Sequence, residues 1–178
     1  MKSTTNLIST NSRHLASFAL LHATIALVTL APLPARASSE QPFHANFITQ
    51  FTSVVEFPLL HVTVNSRGQA TYMGRTTANT DDQLVNLVDG SGTATYTLTA
   101  KNGDTVILAL VVPVGGTINV DGGVLFNGSY TISGGTGQFN GATGTGVFGG
   151  SGLFLDETDG IGAFAVVGTI ILPDNSTK

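Results

Sequence analysis

From Phe43 onward the chain alternates. Phe43, Ala45, Phe47, Thr49 and Phe51 share one parity, and His44, Asn46, Ile48, Gln50 and Thr52 the other. A period of two with one heavier face predicts a strand. It runs to about Phe57, where Pro58 ends or bends it. Leu60, Val62 and Val64 alternate in a second strand, and Asn65-Ser66-Arg67-Gly68 reads as the turn after it. Residues 69–79 predict a third strand, with Tyr72 and Gly74 on one side and Met73 and Arg75 on the other. Thr80-Asp81-Asp82-Gln83 reads as a turn or helix start, 84–88 as a short strand and Asp89-Gly90-Ser91-Gly92 as a turn. Strands follow at 93–100 and 105–112, around Lys101-Asn102-Gly103-Asp104, whose Asn-Gly pair is the strongest hairpin signal in the chain. Further strands are expected at 117–120, 124–132, 146–156 and 161–172, the last after a turn at Thr158-Asp159-Gly160. Eight or nine short, evenly spaced strands with no helical period predict an all-β sandwich or closed barrel.

The segment before Phe43 has a different pattern. Lys2 and Arg13 make a basic front, residues 15–30 are mostly apolar, and Ala35-Arg36-Ala37 follows Pro32 and Pro34 as a small-x-small site. This is the layout of a secretory signal peptide, 1–37, cut after Ala37. Residues 38–42 then read as a tether, 43–172 as the barrel and 173–178 as a loose polar tail. The expected location is secreted or periplasmic. The mature chain keeps Arg67, Arg75, Lys101 and Lys178 against eleven Asp and Glu, a net of −7. That balance excludes the basic patch a nucleic-acid partner requires. With no cysteine, thiolate metal sites, disulfides and cysteine nucleophiles are excluded as well.

Residues 132–152 hold the densest glycine, interrupted by Phe139 and Phe148. Glycine in strands weakens them unless a turn needs φ > 0 or a neighbour approaches closely. Gly134-Gly135-Thr136-Gly137 reads as a turn in which Gly135 or Gly137 takes positive φ, Phe139 as a buried plug, and Gly141 to Gly144 as a second bend. Tyr130 to Gly144 resembles the Gly-Gly-(Thr/Ser)-Gly-x-Phe-x-Gly-x-x-Gly signature of the allene oxide cyclase and dirigent barrels, to which many small exported bacterial proteins are similar. The resemblance implies an eight-stranded antiparallel barrel. The activities it implies are cyclisation of an unstable epoxide and stereocontrol of radical coupling, each on an apolar substrate in the barrel pocket. It also implies dimers or trimers. It carries no catalytic residue onto this chain, because the match ends with the glycine stretch.

Candidate chemistry is sparse. The glycines lack the lysine of a phosphate loop and the repeated aspartate of a calcium roll. His44 and His61, with Glu56 near His61, lack a third metal ligand by spacing and read as surface or strand-end residues. Gly150-Ser151-Gly152 lacks the preceding apolar strand of a nucleophile elbow. Asp81-Asp82 and Asp156-Glu157-Thr158-Asp159-Gly160 read as solvated turns without the spacing of a calcium loop. Asn127-Gly128-Ser129 and Asn175-Ser176-Thr177 are sequons. Arg75, Tyr72, Tyr96 and Tyr130 are the candidates for polar handles in an apolar cavity. No metal and no cofactor is expected.

Two functions fit: a non-catalytic barrel that binds a small apolar ligand or serves the envelope, and a cyclase or isomerase using the same cavity. Residues 106–112, 163–167 and 170–172 are apolar on both parities. A barrel buries one face only, so a homo-oligomer, a trimer by expectation, is predicted to cover the other.

Overall fold

The computed structural model describes residues 39–119 and 121–173. The signal-peptide segment and residues 174–178 of the expected tail lie outside the described residues. Among the described residues nine strands form: β1 (Glu40–Glu56), β2 (Leu59–Ala70), β3 (Gly74–Asn86), β4 (Gly92–Ala100), β5 (Thr105–Val112), β6 (Thr117–Ile118), β7 (Gly123–Gly135), β8 (Gly144–Phe154) and β9 (Asp159–Ile171). The order is β5-β4-β3-β2-β1-β9-β8-β7, and β5 pairs with β7. That last pairing closes an eight-stranded antiparallel barrel, as predicted, and removes the free edges of the sheet. The two-residue β6 is an appendage on β7.

Three local expectations are corrected. Asn65-Ser66-Arg67-Gly68 is not a turn but lies within β2, paired to β1. Gly68 is there for space: a Cβ would sit 2.8 Å from the Phe47 ring and 1.8 Å from the Asn46 carbonyl oxygen. The turn comes at Thr71-Tyr72-Met73, with Tyr72 at φ +64, so the third strand starts at Gly74. Thr80-Asp81-Asp82-Gln83 is neither turn nor helix but a bulge in β3, where Val62 faces Gln83 and Val64 faces Thr80. Two residues against one reverse the parity of the strand beyond it. Glu40, Gln41 and Pro42 are not a tether either, since they pair with Ile171, Ile170 and Thr169 of β9.

One half of the lumen is solid. Phe43, Leu98, Val106, Leu108, Tyr130, Phe139, Val166 and Ile170 are all sealed from solvent there. Phe139 closes this end from a single 3-10 turn, Gly137–Phe139. Its amide donates to the Thr136 carbonyl, and its own carbonyl accepts from Ala142. Gly137 takes φ +60, while Gly135 is a close approach: a Cβ there would meet the Thr105 carbonyl oxygen at 2.1 Å.

Several inward glycines of β8 and β9 lie under rings. A Cβ on Gly146 would touch the Tyr130 ring at 2.6 Å, one on Gly150 the Phe126 ring at 2.5 Å and one on Gly160 the Phe51 ring at 2.1 Å. Aromatic side chains thus fill the volume that their neighbours leave vacant, which keeps the interior close-packed despite the glycine.

Candidate functional site

The other half of the lumen is hollow. Phe51, Val85, Leu87, Ala94, Val112, Phe126 and Phe154 point inward but are only partly buried. They surround a cavity of about 310 Å³, with a smaller compartment of about 80 Å³ against Phe51 and Phe154. Gln83, Val85, Tyr96, Val124, Phe126 and Phe164 line both. The floor is aromatic: Tyr96 and Phe164 have ring centres 5.4 Å apart, and Phe164 stacks on Phe47 at 4.9 Å.

A polar pair interrupts the largely apolar wall. The Tyr96 hydroxyl donates to Gln83 Oε1 at 2.9 Å. Gln83 faces inward only because of the β3 bulge; with unbroken alternation from Thr76, Ala78 and Thr80 the inward positions would be Asp82, Leu84 and Asn86. Burial pushes the Tyr96 phenol well above the ordinary tyrosine range, so it keeps its proton and acts as a donor.

The mouth lies where β3 runs into β4 and β5 into β7. Asn86, Asp89, Gly90, Gly116, Thr117 and Ile118 form its lip. The two sides are joined by a bond from the Gly115 amide to the Asp89 carbonyl at 3.0 Å. Gly90 packs directly on Gly116 at φ +71. The turns at this end carry exposed apolar side chains, Phe57, Val88, Val114 and Leu155, each more than 60% exposed.

Of the four tyrosine and arginine candidates, only Tyr96 lines the cavity. Tyr72 sits on the turn at the solid end, where its carbonyl accepts from Gln138 Nε2. Arg75 is exposed on the outer face beside Gln69. Tyr130 is buried at the solid end, edge-on to Phe43 at 6.5 Å. Its hydroxyl has no hydrogen-bond partner, and burial pushes its pKa up to about 12. The motif glycines, Gly134, Gly135, Gly137, Gly141 and Gly144, and Phe139 all belong to the solid end. The sequence motif therefore shapes the end of the barrel opposite the cavity.

Outside the lumen, His61 Nδ1 lies 3.0 Å from Asp82 and its Nε2 lies 3.8 Å from Glu56. Among the described residues no group of three or more His, Asp or Glu is placed to hold a metal ion. A wider, open groove of about 790 Å³ crosses the outer wall between Ile48, Arg67, Leu153 and Ile161.

No protein-family model matches the chain, and no curated protein matches it. Among solved structures the chain is similar to a pterocarpan synthase dirigent protein, at 14% identity and a TM-score of 0.46, over 79% of this chain and 90% of that one.

Proposed function

We propose that this chain is an exported binding barrel that holds one small apolar ligand in the open half of its lumen. The observation that carries this reading is the cavity of about 310 Å³, walled largely by rings and aliphatic side chains, with the Tyr96–Gln83 hydrogen bond inside and a mouth at one end. Such a volume falls at the low end of small-molecule sites. Apolar burial supplies affinity, and the Tyr96–Gln83 pair supplies one directional contact.

Fluorescence titration with 2-naphthylmethanol, a compact apolar probe with one hydroxyl, tests the reading. Saturable one-site binding by the wild type, lost in the cavity-filling variant Ala94→Phe, is expected. Equal uptake by both proteins, with circular dichroism showing both folded, overturns it. Solvent extraction and mass spectrometry of the purified protein would then identify the natural ligand.

A further inference from the structure

The described cations keep to one end of the barrel, where the acids Glu40 and Asp104 also stand. The described cations, Arg67, Arg75 and Lys101, stand on the half of the wall near the solid end or on the hairpin that caps it. The turns around the mouth carry Asp89, Asp121, Asp156 and Glu157, with Glu56, Asp82 and Asp159 on the adjoining strands. No described lysine or arginine lies at that end; His61, between Asp82 and Glu56, is its one basic side chain.

One of these acids belongs to the cavity. Asp89 lines it at the lip. Its Oδ1 accepts from the Ser91 hydroxyl at 2.7 Å and from the Ser91 amide at 2.9 Å, leaving Oδ2 for a ligand. Those bonds hold the carboxyl below the usual carboxylate range, so it is charged at neutral pH. Behind it stand the rings of Tyr96, Phe126, Phe148 and Phe164. The rings can take an apolar body, and an acidic mouth concentrates cations. An anionic amphiphile would enter against the acids and meet no positive partner inside.

We propose that the ligand is an organic cation: a compact apolar body of one or two fused rings lodged among the four rings, with an ammonium group at Asp89. This rests on the lumen being the ligand site, and adds the sign of the ligand's charge.

Three probes share one apolar body: 2-naphthylmethylammonium, 2-naphthylmethanol and 2-naphthoate. Titrated at neutral pH and low salt, the cation is expected to bind about tenfold more tightly than the alcohol, and the carboxylate more weakly than either. The cation's advantage should shrink as salt rises from about 0.01 M to about 1 M, over which the screening length falls from ~30 to ~3 Å. Asp89→Asn should reduce cation affinity several-fold more than alcohol affinity. Equal affinities, a preference for the carboxylate, or a cation preference indifferent to salt overturns the charge assignment while leaving the lumen site standing. Failure of all three probes to bind overturns both, and the salt series needs no variant, so a misfolded mutant cannot obscure the result.

Discussion

Phe139→Ala tests whether the glycine stretch organises the barrel. The ring is fully buried and caps the solid end, where Gly135 packs against its Cβ. Truncation removes the ring's transfer free energy and leaves a cavity. Collapse into that cavity is limited, because the surrounding side chains are held on strands paired around a closed barrel. The loss should therefore fall at about 3–5 kcal/mol, the range for a buried phenylalanine. Against a total stability of about 5–15 kcal/mol that is a large share. Urea titration followed by far-ultraviolet circular dichroism measures it, since the chain lacks tryptophan. The midpoint should fall with the slope unchanged, which identifies a stability effect rather than a changed denatured state. Phe139→Leu, closer in volume, should cost less than about 1.5 kcal/mol. Ligand binding per folded molecule should not change, because the cavity is at the other end. A loss below about 1 kcal/mol for the alanine variant would refute the reasoning, since it would mean the ring carries no packing.

Tyr96→Phe should cost about 1 kcal/mol by stranding Gln83 Oε1, and Gln83→Leu added to it should restore part of that loss; a double-mutant cycle in urea checks this. Tyr130→Phe should be neutral or stabilising, because it deletes a buried hydroxyl that has no partner; a fall in melting temperature would show that the hydroxyl is bonded after all. Gly90→Ala should destabilise by more than about 1 kcal/mol and loosen the lip, since it adds a Cβ at positive φ and 2.0 Å from the Gly116 carbonyl oxygen; faster hydrogen exchange at the Gly115 amide reports the opening. We propose that outward apolar residues on β5 and β9 bury a homo-oligomer interface. Val111→Asp with Val167→Asp, both half-exposed, should yield folded monomers by light scattering, whereas Leu108→Asp with Leu110→Asp, both inward, should abolish folding. A monomeric wild type at micromolar concentration overturns the interface.

Much of the barrel could be read from alternation because its wall separates two environments residue by residue. On β5 the parity is hidden in the sequence: Val106, Leu108 and Leu110 are buried, while Ile107 and Val111 are equally apolar and point outward. Only pairing decides between them. The hairpin at Asn102-Gly103 was legible because its chemistry is local: Gly103 takes φ +90, and the Asp104 carbonyl accepts from Ala100. Asn65-Ser66-Arg67-Gly68 misled because turn residues were present for another reason. Gly68 gives room to Phe47, a residue about twenty positions away in the chain, and no local rule encodes that distance.

The site was less legible, for a physical reason that the bulge makes plain. Read as continuous alternation, β3 would send Asp82 inward and Gln83 out. The extra residue in β3 reverses this: Asp82 meets His61 outside, and Gln83 meets Tyr96 inside. The polar handle thus depends on a defect in pairing, and a defect leaves the same residues in the same order. The glycine stretch drew attention because its composition is extreme, yet extreme composition records a packing demand, that of rings lying on backbone at the solid end. The open end uses the same device under Phe51 and Phe126 but leaves space between its rings. Its aromatic side chains have space beside them, its turns are ordinary acidic turns, and its cavity arises where inward side chains stop short of one another. A solid half fixed by glycine and phenylalanine leaves the other half free to differ, so on the proposed reading ligand choice can change through Gln83, Tyr96 and Asp89 without disturbing the elements that close the barrel.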